Sequence, residues 1–341
     1  MLRWPIIPTG AGLALLLMLG AALSIVSGAV SLPAQQGFFT LLDQLTGSEL
    51  SNLATYEKVI ILELRLPRLI LAIMVGAILS QCGAVMQGLF RNPLADPGII
   101  GVSSGAAVGA IIAIVWLSED FGAWTIPASA FISGLLTTLL VYRLAQSKEG
   151  TSVLILLLAG VAIAAFAGAA IGFISYFSSD EKLRQLSLWQ MGSLTGASQA
   201  NLWIPTLAMV GLLFIFQKKA TALNALLLGE CEARHMGINV EQLKLHLIML
   251  CALGVGIAVA FSGIIGFVGL VVPHLIRLTT GPNHHSLLPL SAILGALLLV
   301  VADLLARVLV QPAELPVGLV TALLGAPFFL ILLLQQRQRW S

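Results

Sequence analysis

Apolar runs of membrane-spanning length follow one another along almost the whole chain, and this constrains the fold more than any other feature. A helix needs about twenty apolar residues to cross a bilayer core. Only 9% of the 341 residues are charged, against about 25% in soluble proteins, so the chain cannot cover itself with a hydrated surface. The runs do not alternate as barrel strands do. The sequence predicts an all-α, polytopic membrane protein with one transmembrane domain over residues 1–341 and about ten spans, at 8–31, 66–89, 99–117, 124–144, 152–177, 201–217, 245–262, 264–280, 289–310 and 316–335.

The N-terminal run is interpreted as a retained first helix. Arg3 precedes an apolar stretch at 10–30 that ends in small residues, which also fits a signal peptide. The stretch is longer than the 7–15 residues of a typical signal core, which favours the helix.

The basic residues predict that both termini face the cytoplasm. With that orientation most of the 17 lysines and arginines fall on the cytoplasmic side, as expected from the positive-inside rule: Arg3, Arg91, Arg143, Lys148, Lys218, Lys219, Arg234, Lys244, Arg277, Arg337 and Arg339. The remainder face outward: Lys58, Arg65, Arg68, Lys182, Arg184 and Arg307.

Two connections are longer than their neighbours. Residues 218–245 form a charged cytoplasmic insert rich in Leu, Ala and Glu, which predicts a short two-helix platform able to dock a soluble partner; a plain solvated loop is the alternative. Residues 178–200 predict a short amphipathic helix near the outer surface.

Charged and small residues offer further candidates. Asp303 and Arg307 are four apart and can pair on one helix face. The four-residue steps Gly101–Gly105–Gly109 and Gly160–Ala164–Gly168–Gly172 predict close helix packing. Phe166, Phe173 and Phe177 form one aromatic stripe that could line a path for a flat apolar ligand or simply pack against another helix.

Enzyme motifs are weak in this sequence. No Gly-Lys pair occurs, so there is no phosphate-binding loop of the Walker A type. The stretch "GVSSG" matches the nucleophile pattern around Ser103, but it lies at a helix start among packing glycines. Neither a catalytic nor a metal site is predicted, and the three cysteines are interpreted as free thiols.

Several stretches between about 60 and 335 resemble, in order, the permease subunits of ABC importers for iron–siderophores, haem and vitamin B12 (FecCD-like, type II). They are "LRLPR", "GAVMQGLFRNPLADPGIIGVSSGA", "LLLAG", "LGECEARHMGINV", "GIIGFVGLVVPHLIRL" and "AELPVGLVTALLGAPFF". The resemblance implies a ten-helix permease in the bacterial inner membrane, acting as a homodimer with two ATPase subunits and a periplasmic binding protein.

The resemblance also implies roles for particular residues. Arg65, Arg68 and Arg307 match the arginines that dock the binding protein. Gly229, Glu230, Ala233, Arg234 and Gly237 match the coupling segment for the ATPase. Asn92 and Leu94 match one inner gate, and Thr151 and Ser152 match the other. ATP and magnesium would be bound by the ATPase subunits, with no cofactor on this chain.

The sequence is most similar in appearance to haem permeases, so haem is the expected substrate, with vitamin B12 or a ferric siderophore as alternatives. A permease of this kind holds no catalyst and has no nucleic-acid partner. The rival classes are an ion-coupled secondary transporter, for which Asp303 is the one candidate ion site, and an intramembrane hydrolase that uses Ser103.

Overall fold

The computed structural model describes residues 4–28, 30, 32–117, 121–147 and 150–337. The helices of these ranges, in chain order, are α1 (Ile6–Val26), α2 (Ala34–Thr46), α3 (Thr55–Leu89), α4 (Val102–Leu117), α5 (Thr125–Ala145), α6 (Val153–Tyr176), α7 (Asp180–Gln190), α8 (Trp203–Leu228), α9 (Glu230–His235), α10 (Val240–Ser262), α11 (Val268–Thr280), α12 (His284–Val308) and α13 (Val317–Arg337). Short 3₁₀ turns lie at Pro97–Ile100 and Gln199–Asn201, and a small antiparallel hairpin pairs β1 (Gln146–Ser147) with β2 (Gly150–Thr151).

The predicted all-α membrane architecture is confirmed. Seven of the described helices are long and apolar enough to cross a membrane, and α4, α11 and part of α13 are shorter apolar helices. Each predicted run corresponds to one of these helices. The number of crossings and the side of the termini stay predictions, and Arg3, Lys148 and Arg339, which were used for the orientation, lie outside the described residues.

The ten apolar helices α1, α3, α4, α5, α6, α8, α10, α11, α12 and α13 alternate in direction, so the connections collect at two ends of the bundle. What we call the first end holds the connections 90–101, 146–147 with 150–152, 229–239 and 281–283. The second end holds the described residues of 27–54 and the connections 177–202, 263–267 and 309–316. Side-chain bonds across each end agree with this arrangement, for example from Thr151 to Glu241 at the first end and from Gln199 to Glu63 at the second.

Helix α3 begins well before the predicted start at residue 66. It starts at Thr55, passes through a π-helical segment at Ile60–Arg65 and continues to Leu89. The sequence placed the boundary at the charged residues Glu63 and Arg65, which hydropathy excludes from a span. The helical hydrogen bonds continue through them because the guanidinium group of Arg65 finds hydrogen-bond acceptors inside the protein.

The 218–245 insert differs from the expected two-helix platform. Helix α8 extends into it as far as Leu228, and α10 begins at Val240. One separate short helix, α9, remains between them. The hydropathy pattern placed the end of α8 just before Lys218. The helix continues because lysine is a good helix former and its long side chain can reach water.

Helix α3 lies at the centre of the bundle. Most of its apolar span is buried, and it packs against α8, α10, α11 and α12. A Cβ atom on Gly76 would overlap the carbonyl of Gly295, and one on Gly83 would overlap the carbonyl of Gly269. Glycine therefore allows two helices to approach α3 closely.

The glycine steps predicted as packing surfaces divide into two groups. Gly105 and Gly109 of α4 lie directly against α5, which confirms the prediction there. Gly160 of α6 lies against the carbonyl of Ile99. Gly168 and Gly172 have no atom within 4 Å of a Cβ built on them, so the side of α6 that carries them contacts no other described part of the chain.

Candidate functional site

The second end contains a cluster of buried charges, which we call the arginine cluster: Arg65, Arg68 and Arg307 with Asp303 and Glu314. Arg68 donates from Nε to Asp303 Oδ1 at 2.8 Å and from Nη1 to Glu314 Oε2 at 2.6 Å. Arg307 Nε lies 3.1 Å from the other oxygen of Asp303, which confirms the predicted pair. One carboxylate thus lies between two guanidinium groups.

The remaining donors of the cluster bind the backbone of the last turn of α1 and of the residues just after it. Arg307 donates from Nη1 to the carbonyls of Ser24 and Ser27 at 3.0 and 3.2 Å. Arg65 donates from Nη1 to the carbonyl of Ile25 at 2.6 Å and from Nη2 to that of Val30. These bonds satisfy carbonyls left free at a helix C-terminus.

The three arginines are more buried than expected for residues that dock a partner at the solvent-exposed edge of the protein. Arg65, Arg68 and Arg307 are only 6%, 9% and 5% exposed. They nevertheless line a cavity of about 330 Å³ at the second end, together with Glu314 and Thr195. The cluster has three positive groups and two carboxylates, so the cavity wall carries an excess of positive charge.

The first end contains a second charged group, which we call the lysine node: Lys244, Glu230, Glu241 and Thr151. Lys244 Nζ lies 2.7 Å from Glu230 Oε1 and 3.2 Å from Glu241 Oε1. It also donates to the carbonyl of Thr151 at 3.2 Å. The N–H of Thr151 donates to Glu241 Oε2 at 2.8 Å.

Helix α9 carries the residues expected to couple to an ATPase. Ala233 is fully buried, whereas Arg234 is exposed and lies 3.8 Å from Glu230 Oε2 and 3.9 Å from Glu241 Oε1. Gly229 and Gly237 flank the helix with φ of 132° and 82°. Both values lie in the region that favours glycine, so the chain turns sharply into and out of α9.

The predicted gate residues lie at the same end. Asn92 forms a turn in which its Oδ1 accepts from the N–H of Leu94 at 2.9 Å. Ser152 is the N-cap of α6, with its Oγ accepting from the N–H of Ile155 at 3.4 Å. Thr151 Oγ1 donates to the hydroxyl of Tyr142 at 3.3 Å. No direct bond between the two gates is found among the described residues.

The phenylalanine stripe is not enclosed within a single chain. Phe166, Phe173 and Phe177 are 76%, 69% and 72% exposed on α6. Phe173 and Phe177 contact each other edge to face with ring centroids 5.2 Å apart. The stripe faces away from α4 and α5, which pack on the other side of α6.

The sequence did not reveal the partners that complete these sites. Glu314 of the arginine cluster and Lys244 and Glu241 of the lysine node had no role assigned. The spacing of Glu241 and Lys244, three residues apart in the first turns of a span, was the available signal. The contact with Thr151 has no local sequence signature, because the two residues come from different helices.

A comparison with family models identifies the chain. The model of the FecCD transport family matches residues 16–335. The chain belongs to the FecCD transport family.

Curated relatives of this FecCD protein are permeases. The hemin transport system permease protein HmuU of Yersinia pestis is 49% identical over 283 residues, which cover 82% of this chain and 84% of that protein. The vitamin B12 import system permease protein BtuC of Vibrio cholerae is 42% identical over 297 residues, covering 87% and 89%.

A solved structure supports the same architecture. It is described as an inward-facing conformation of a transporter of the metal-chelate ABC type, and it is 34% identical with a TM-score of 0.83, covering 96% of this chain and 98% of that one. The FecCD protein is therefore an ABC importer permease, a multi-pass protein of the bacterial inner membrane. Permeases of this family are transmembrane subunits, not enzymes, and function with ATPase and substrate-binding partners.

Proposed function

We propose that this FecCD protein translocates haem, or a closely similar iron complex, across the bacterial inner membrane. The observation that carries the proposal is the 49% identity with a hemin permease over 82% of the chain. Identity with the vitamin B12 permease is lower, at 42% over a similar length. A vitamin B12 permease is the second candidate, favoured by the BtuC relatives, and a ferric-siderophore permease is the other alternative.

The proposed pathway lies between two copies of the chain. The exposed stripe of Phe166, Phe173 and Phe177 would face this pathway, since flat aromatic side chains suit a porphyrin or a corrin. Asn92, Leu94, Thr151 and Ser152 would bound its cytoplasmic end. In this arrangement the first end of the bundle is cytoplasmic, as the basic residues predict.

The two ends would receive different partners. At the second end, the positive cavity wall of the arginine cluster suits acidic side chains of a periplasmic binding protein, and such charges favour orientation and encounter rate. At the first end, α9 and its flanking glycines in each copy of the chain would sit in a groove of one of two ATPase subunits. Those subunits would bind ATP and magnesium, and this chain would supply no catalytic group.

The secondary-transporter alternative is less well supported by the contacts of Asp303. An ion-coupled carrier needs an ionisable group near the midplane that can release its partner. Asp303 is bound by Arg68 and paired with Arg307, near the second end of α12. The hydrolase alternative depends on Ser103, at the glycine-rich start of α4, where no acid–histidine pair is found among the described residues.

The experiment is a growth and uptake test in a bacterial strain from which this gene is deleted. Haem is supplied as sole iron source, and vitamin B12 and ferric siderophores are tested in parallel. Loss of growth on haem alone, restored by the wild-type gene, is the expected result. Intact haem use with lost vitamin B12 or siderophore uptake would replace the substrate and retain the architecture. Intact uptake of all three would contradict the proposal.

A further inference from the structure

The lysine node joins three separate elements at the first end of the bundle. Lys244 belongs to α10, Glu230 to α9, and Thr151 to β2 immediately before α6. An ammonium group has three N–H donors. Lys244 has one acceptor for each of them: Glu230 at 2.7 Å, Glu241 at 3.2 Å and the carbonyl of Thr151 at 3.2 Å.

The node holds both backbone groups of Thr151. Its N–H donates to Glu241 and its carbonyl accepts from Lys244, so two side chains of α10 fix this peptide position. The next residue, Ser152, caps the N-terminus of α6. The start of α6 therefore cannot shift relative to α10 without breaking charge-assisted bonds, which are the stronger kind of hydrogen bond.

Burial makes Lys244 the central group of the node. Lys244 is 3% exposed, whereas the carboxylates of Glu230 and Glu241 are each more than a third exposed. A buried ammonium cannot exchange a lost acceptor for bulk water, but the two carboxylates can be hydrated. If α9 moves, Lys244 must either follow Glu230 or give up that bond and keep only Glu241 and Thr151.

We infer that Lys244 is a positioning residue that couples displacement of α9 to displacement of the first turn of α6. The inference rests on the proposed function, in which α9 contacts the ATPase and Thr151 and Ser152 bound the pathway. It adds the physical connection between them. Energetic coupling of this kind needs an element with two discrete arrangements that both sites bias, and the ammonium, either with or without its bond to Glu230, provides one.

The test measures the response of α6 to nucleotide in the complete complex of permease, ATPase and binding protein. A Leu154→Cys reporter in the exposed first turn of α6 is combined with Cys231→Ser, because Cys231 is exposed whereas Cys82 and Cys251 are buried. The rate of labelling by a membrane-impermeant maleimide is measured with and without a non-hydrolysable ATP analogue. The ratio of the two rates is the readout.

The reporter background should change its labelling rate with nucleotide by roughly fivefold or more, the usual range of allosteric coupling. Lys244→Met should reduce this ratio to within about twofold of unity while ATP hydrolysis continues. Glu230→Gln should reduce the labelling ratio partly. The double variant Lys244→Met/Glu230→Gln should have the same ratio as Lys244→Met alone, since both changes disrupt the same bond.

Arg143→Met is the matched control. Arg143 is exposed at the end of α5, close to the same hairpin, and its replacement removes one positive charge from the same end. Its ratio should equal that of the background. A merely structural role of Lys244 would lower thermal stability and change both labelling rates together, leaving their ratio unchanged.

An unchanged ratio in Lys244→Met, or no nucleotide response in the background, would overturn the inference. The labelling assay needs no transported compound, so a wrong assignment of haem as substrate would not affect it. An error in the proposed substrate would be detected by the growth test and not by the labelling assay.

Discussion

Asp303 shows how a charge inside a membrane protein depends on its neighbours. The carboxylate is 1% exposed and lies between the guanidinium groups of Arg68 and Arg307. Removing one partner from a buried ion pair leaves the other charge uncompensated, which costs more than the pair contributes when intact. The exposed partner, Glu314, can be replaced by water.

We expect Asp303→Asn to destabilise the protein by about 3 kcal/mol, in the range measured for broken buried ion pairs. Glu314→Gln should cost at most about 1 kcal/mol, since this carboxylate is more than a third exposed. Thermal unfolding in detergent, followed for both variants beside the wild type, measures the difference. Equal destabilisation of the two variants would mean that burial does not set the energy of the cluster.

At the scale of elements, α9 depends on two backbone turns as well as on its side chains. Gly229 has φ 132° and ψ 158°, a conformation that is essentially restricted to glycine. Gly237 has a φ of 82°. Neither glycine has an atom within 4 Å of an added Cβ. Any effect of alanine at these positions is therefore backbone strain, with no steric clash.

Gly229→Ala should weaken binding of the ATPase roughly tenfold, because about 1–3 kcal/mol of strain would displace α9. Gly237→Ala should have a smaller effect, since the left-handed conformation costs about 1–2 kcal/mol. Titration of the ATPase onto the permease in nanodiscs measures both.

Gly211→Ala is the control for this pair. Gly211 lies within α8, also with no atom within 4 Å of an added Cβ and without a positive φ, so alanine should be neutral or slightly stabilising there. Equal ATPase affinity in all three variants would contradict the role of the two turns.

At the scale of the whole molecule, one face of α6 is not covered by any other described part of the chain. Gly168 and Gly172 are exposed on it, on a different flank of the helix from the phenylalanine stripe, since successive residues of a helix are about 100° apart. Small residues at four-residue steps allow membrane helices to approach closely. The proposed homodimer would use this face.

We expect Gly172→Leu to shift the protein from dimer to monomer, raising the dissociation constant at least tenfold, since a leucine would separate two closely approaching backbones. Gly211→Leu on α8 provides the matched control: it adds the same side chain at a position that also has open space around it. Light scattering after size-exclusion chromatography in detergent measures both. A dimeric Gly172→Leu variant, or a monomeric wild type, would contradict this interface.

The sequence by itself determined the class of the protein, because hydropathy is a local property. The apolar runs predicted every membrane-length helix of the described residues and the break near residue 263. The four-residue glycine steps predicted the packing of Gly105 and Gly109, and the quoted stretches predicted the FecCD family. The predicted helix boundaries were wrong where charged residues lie inside helices, as at Glu63 in α3 and Lys218 in α8. Hydropathy counts such a residue as outside a span, whether or not its charge is hydrogen-bonded within the protein or reaches water.

The tertiary structure alone decided which distant residues meet. Arg68 contacts Glu314, and Lys244 contacts Thr151. The resemblance matched Arg65, Arg68 and Arg307 to docking arginines, and the structure shows that they are buried against Asp303 and the end of α1. These contacts join residues up to 283 positions apart. They depend on which helices become neighbours, and a glycine pattern within one helix, even where it predicts close packing, does not say which helix packs there, as in the contact of Gly76 with Gly295.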